Sequence, residues 1–116
     1  MSAAYNCELA FRTVDILATS AGDLRQRLPM AWDEGLSMIN PDNLPSDCAL
    51  AKNELVELRR VFSRENDSYF AREFGMARAN IARKHRTTLE KLAHRMTNVQ
   101  ADLNRHFEYS MKGTHR

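Results

Sequence analysis

Residues 70–110 read FAREFGMARANIARKHRTTLEKLAHRMTNVQADLNRHFEYS, and the spacing of apolar residues in this stretch decides the fold class. Positions 70, 74, 77, 81, 85, 88, 92, 96, 99, 103, 107 and 110 advance by steps of four, three and four, an eleven-residue repeat with about 3.67 residues per turn. They hold Phe70, Phe74, Ala77, Ile81, His85, Thr88, Leu92, Met96, Val99, Leu103, Phe107 and Ser110, nine of them apolar. The spacing predicts one long amphipathic helix over 68–111. At 1.5 Å per residue it extends roughly 60 Å, longer than a compact chain of this size. Its apolar stripe is therefore expected to need a second chain. Phe70, Phe74, Ile81, Leu92, Met96, Val99, Leu103 and Phe107 are expected to form the interface of a two-fold homodimer. The competing arrangement folds three shorter helices back along the stripe within one chain.

Those shorter helices are also visible. Ala10, Val14, Leu17, Ala21, Leu24 and Leu28 recur at four- and three-residue steps, which predicts a helix over 5–27. Pro29 reads as the first residue of a short helix over 30–40, with Asp33 and Glu34 at its electropositive start and Trp32, Leu36 and Ile39 as its stripe. NPDNLPSD, residues 40–47, is a loop rich in Pro, Asn, Asp and Ser. A third helix over 48–64 places Ala51, Leu55, Leu58 and Phe62 on one face, with Ser46 or Asp47 available as its cap. Residues 48–111 form either one helix or two, Asn66, Asp67 and Ser68 marking the break. The expected architecture is all-α: a single domain over 1–116, a bundle of three to four helices closed by the long C-terminal one.

Composition agrees with that class. Only four Gly and three Pro occur, and all three Pro fall between positions 29 and 45, which disfavours a turn-rich sheet protein. Met1 to Asn6 carry no basic cluster ahead of an apolar run, and no stretch nears the ~18 apolar residues of a membrane span, so the expected location is cytoplasmic. Net charge is +2, but residues 1–57 carry −5 and residues 58–116 carry +7. This asymmetry suits self-association, an acidic partner such as nucleic acid, or two faces of one bundle that neutralise each other.

Motifs for chemistry are sparse. There is no Gly-rich phosphate loop, no His pair at i and i+4 and no nucleophile-elbow pattern, and Cys7 and Cys48 stand in no metal or redox spacing. No enzyme activity, cofactor or metal is expected. Arg78 and His85 are spaced like the Arg and His of helical HEPN nucleases, a separation that thirteen Arg and four His produce by chance.

Two binding surfaces are expected instead. Met30, Trp32, Leu36, Met38 and Ile39 combine residue types favoured as protein-interface anchors. YFAREFGMARANIARKHRTTLEKL, residues 69–92, resembles the helix-turn-helix of bacterial transcription regulators. Ala71 matches its small residue, Gly75 its turn, and Phe70, Phe74, Met76 and Ile81 its buried positions. That resemblance implies a DNA-binding face of Arg78, Ala79, Ala82 and Arg83, with Lys84 and Arg86 near phosphates. Arg72, Arg78, Arg83, Arg86 and Arg95 form a basic set that reads either as a binding patch or as a solvated helix face. The leading expectation is a non-enzymatic interaction module, acting as adaptor, chaperone or antagonist of a transcriptional or signalling protein. A DNA-binding regulator is the alternative.

Overall fold

The computed structural model describes residues 3–114, with side chains through Glu108, and every regular element among the described residues is helical. Six α-helices follow in order: α1 Ala3–Thr19, α2 Leu24–Glu34, α3 Ala49–Phe62, α4 Tyr69–Phe74, α5 Met76–Ile81 and α6 Arg86–Thr114. Short 3-10 turns at Leu36–Met38, Pro41–Asn43 and Ser46–Cys48 carry the chain from α2 to α3.

The helix expected over 5–27 is two helices. Gly22 adopts φ +100°, a left-handed conformation that interrupts the helix. Asp23 then starts α2 with a reciprocal capping box: its carboxylate accepts from the Gln26 backbone N–H, and the Gln26 side-chain oxygen accepts from the Asp23 N–H, both at 3.0 Å. Pro29 consequently lies inside α2, not at a helix start. Asp33 and Glu34 fall at its C-terminal end, where the helix dipole opposes them. Burial of Leu28, Pro29, Ala31 and Trp32 offsets the backbone hydrogen bond that Pro29 cannot donate.

α2 closes tightly on α1. The buried Thr13 hydroxyl lies 3.0 Å from the Leu9 carbonyl and 3.3 Å from that of Ala31, and accepts from the Leu36 N–H at 3.1 Å. Gly35 permits this approach, since a Cβ there would stand 1.9 Å from the Thr13 hydroxyl and 2.8 Å from the Leu9 carbonyl oxygen.

α3 forms as its pattern predicts, and Ala51, Leu55, Leu58 and Phe62 are all buried. The helix expected over 68–111 is three. Ser68 caps α4 by accepting from the Ala71 N–H at 3.1 Å, and Gly75 at φ +94°, ψ 155° ends it in a region open essentially to glycine alone. α5 stops where the Arg25 guanidinium donates to the carbonyls of Ile81 and Ala82 at 2.9 Å and of Lys84 at 2.7 Å. The first two belong to the C-terminal end of α5, where carbonyls lack intrahelical partners, and the third lies in the turn before α6.

α6 alone spans about 43 Å at 1.5 Å per residue, within a molecule whose principal extents are 55 × 27 × 22 Å. It packs along both α1 and α3, and α5 docks on α2 and α3. Ile81, Leu92, Met96, Val99 and Leu103 are thus buried in their own chain, each under 6% exposed. The homodimer expectation loses the open stripe that motivated it. The opposite charges of the two halves also meet internally, as in the Arg95–Glu54 pair at 2.8 Å between α6 and α3.

Candidate interaction surface

The expected anchor helix is mostly core. Trp32, Leu36 and Ile39 are no more than 2% exposed. Trp32 stacks on Phe62 with ring centroids 5.4 Å apart, and the Arg59 guanidinium lies 5.4 Å above the Trp32 ring. Arg59 is held there by donating to the carbonyls of Ser37 at 3.2 Å and Ile39 at 2.7 Å. Only Met30 and Met38 of the expected set reach the surface.

Of the ten large apolar side chains exposed among the described residues, four cluster in sequence on the α4–α5 hairpin, while Tyr5, Phe11, Met30, Met38, Leu50 and Val56 are spread over the rest of the bundle. α4 is two turns long and packs chiefly on α5, through a small residue, Ala71. Ala77 and Ile81 of α5 enter the core, so the glycine break swings the preceding aromatic residues outward. Tyr69 is 75% exposed, Phe74 53%, Met76 44% and Phe70 38%. Phe70 and Phe74, one helical turn apart, hold their rings at 4.7 Å in a tilted pair. The Arg78 guanidinium lies 5.2 Å from the Phe74 ring centroid, a cation–π contact joining the aromatic pair to the basic surface. Arg72 is tethered by donating to the Asp67 carbonyl at 2.9 and 3.1 Å.

Beside this patch opens a cleft of about 800 Å³ between the end of α3, the 63–68 turn and α5. Arg60, Arg64, Arg83 and Lys84 supply four positive charges to its lining against Glu65 and Asp67, with Phe70 in one wall. Asn80 fixes its shape: the side-chain amide donates to the carbonyls of Phe62 at 3.1 Å and Arg64 at 2.9 Å, and its oxygen accepts from Asn66 at 2.9 Å. The end of α3 and the start of the turn are thereby clamped to α5.

The expected nucleic-acid residues divide accordingly. Arg72, Arg78, Arg83 and Arg86 are exposed and Lys84 is half-buried, and only Arg83 and Lys84 line the cleft. Of the expected dimer residues, Phe70 and Phe74 are exposed, whereas Phe107 is half-buried at a groove between α1 and α6. Tyr69 and Arg60 did not figure among the expected contacts. Ser68 as a cap and Gly75 as a break were the local signals for a separate α4, but its outward orientation depends on α5 docking elsewhere.

The fold and this surface define an all-helical protein with a two-turn aromatic and basic projection. No protein-family model, curated protein or solved structure matches the chain.

Proposed function

We propose that this protein is a non-enzymatic interaction module that regulates another protein by occupying part of its surface, and that its binding face is the α4–α5 hairpin. One observation carries the reading: Tyr69, Phe70, Phe74 and Met76 are exposed together, flanked by Arg72 and Arg78. Aromatic residues, Met and Arg are the types enriched at protein interfaces. Fully burying such a side chain contributes roughly 1.5–3 kcal/mol, and each of these four, 38–75% exposed, has a corresponding fraction of that left to gain in an interface. The flanking arginines favour an acidic rim on the partner.

The test is capture from nuclease-treated lysate with wild-type protein and with Phe74→Asp, whose side chain is exposed. A stoichiometric protein held by the first and released by the second supports the reading. A partner retained equally by both removes the hairpin from the interface.

A second reading, nucleic-acid binding, is favoured by the basic cleft. Four cations around Phe70 suit a phosphodiester strand with a base against the ring. The break at Gly75 also occurs where the helix-turn-helix resemblance puts its turn. Titration of duplex and single-stranded oligonucleotides at two salt concentrations separates this reading from the first, because phosphate contacts impose a steep salt dependence.

A further inference from the structure

Far from the hairpin, the fold brings together three side chains of different chemistry. Asp47 and Cys48 lie in the 3-10 turn that leads into α3, and His106 projects from α6. The His106 Nδ1 is 3.0 Å from an Asp47 carboxylate oxygen, and one ligand atom from each of the three residues lies within 4.8 Å of the other two. Cys48 is fully buried, the His106 side chain is 21% exposed and that of Asp47 66%, so the cluster has a closed floor and an open mouth.

We infer that Asp47, Cys48 and His106 form a site for a divalent transition metal ion of the zinc type, with water completing the coordination. The donor set selects the ion. One sulfur, one imidazole nitrogen and one carboxylate oxygen match zinc and cobalt, whereas calcium and magnesium take oxygen donors. Zinc bonds of about 2.0–2.3 Å require tetrahedral ligand atoms roughly 3.3–3.8 Å apart. The Asp47–His106 separation is 3.0 Å and all three ligand atoms lie within 4.8 Å of one another, so modest side-chain adjustment is required to reach that range.

Burial, then the nearby carboxylates of Asp102 and Asp47, push the Cys48 thiol up to about 11, so a bound ion must displace its proton. The ion would bind the sulfur as the thiol proton leaves to solvent, with no change in oxidation state, and take an imidazole nitrogen lone pair of His106. Cys7 is near enough to raise the Cys48 value slightly, but its own thiol donates to the Leu103 carbonyl at 3.4 Å. It is therefore not counted among the ligands. Bound metal would staple the start of α3 to the C-terminal half of α6, two segments 58 residues apart in sequence, a separation that no local ligand spacing reveals.

The test is titration of the full-length, reduced, metal-stripped protein with Co2+, followed by absorbance. The expected result is a thiolate-to-cobalt charge-transfer band with tetrahedral d–d bands, saturating at one ion per chain and bleached by Zn2+. Cys48→Ser should abolish the charge-transfer band, His106→Gln and Asp47→Asn should each weaken binding at least tenfold, and Cys7→Ser should leave it intact. Because Cys48 is in the core, the partly exposed His106 and the exposed Asp47 keep the test decisive should Cys48→Ser fold poorly. Saturating Zn2+ should also raise the thermal midpoint of the wild type and not of His106→Gln. No charge-transfer band at stoichiometric Co2+, or a band lost in Cys7→Ser, overturns the site.

Discussion

Asp102 of α6 accepts a hydrogen bond from the Ala51 backbone N–H at 2.9 Å, so the start of α3 is capped by a residue 51 positions away. Cys48, the residue at the helix's own N-cap, supplies no side-chain bond. The second Asp102 oxygen pairs with Arg105 at 2.9 Å, and the residue is only 7% exposed. A buried hydrogen bond to a charged group contributes about 1.5–3 kcal/mol, so Asp102→Ala should lower unfolding free energy by that amount in urea titrations of metal-free protein. Asp102→Asn keeps an acceptor oxygen and should lose less. Equal losses in both would mean that the charge, rather than the cap, supplies the stability.

Trp32 yields the opposite outcome from the one expected of an interface anchor. Its ring is enclosed by Phe62 below and Arg59 above, so Trp32→Ala leaves a large cavity and should cost roughly 3–5 kcal/mol. Met30→Ala, at a side chain 42% exposed, should stay within about 0.5 kcal/mol of wild type. Circular dichroism melts of both variants measure the contrast, and a Trp32→Ala protein as stable as wild type would return that residue to the list of binding anchors.

How far the fold was legible depended on whether local spacing or distant contacts set each boundary. Ala51, Leu55, Leu58 and Phe62 were readable because an uninterrupted helical run places them on one face, and Leu92, Met96, Val99 and Leu103 were readable for the same reason. The break at Gly75 was marked by the glycine itself and by the helix-turn-helix resemblance, but not by the four-three-four spacing, which continues through it. What separates α5 from α6 is the Arg25 guanidinium collecting three carbonyls from 56 to 59 residues away, which no periodicity encodes. The start of α2 was within reach, because Asp23 and Gln26 stand at capping-box spacing beside Gly22. The surface was less legible than the core: Phe70 and Phe74 fit an apolar stripe equally well whether covered or exposed.

Asp33 carries a pH prediction. Burial first, and the neighbouring Glu34 second, raise its carboxyl above the ordinary value, and it sits in the last turn of α2, where the dipole disfavours a negative charge. A raised folded-state value means that the ionised form costs stability above it, while below the unfolded value both states are protonated and the cost vanishes. Asp33→Asn should therefore raise stability at pH 7 by about 0.3–1 kcal/mol, the usual size of a helix-end charge effect. That gain should shrink to nothing as pH falls through the carboxylate range near about 4. Thermal melts of both proteins across pH 3–7 read it out, and a gain that persists in acid would assign the effect to something other than ionisation.

The hairpin and the cleft make separable demands on a partner. Phe74 is half-exposed and held by Phe70 and Arg78, so Phe74→Asp should change the thermal midpoint little while removing the apolar centre of the hairpin and opposing an acidic rim. Lost contact at a protein hot spot costs about 2–4 kcal/mol, a thirtyfold or greater loss of affinity. Arg64→Ala with Arg83→Ala alters the cleft and spares the aromatic pair. A protein partner seated on the hairpin should be lost in Phe74→Asp and kept in the double arginine variant, with affinity only weakly dependent on salt. A nucleic acid in the cleft should instead be lost in the double variant, and the slope of log affinity against log salt should flatten by nearly one for each phosphate contact removed. Binding that survives both changes would place the functional surface elsewhere on the bundle.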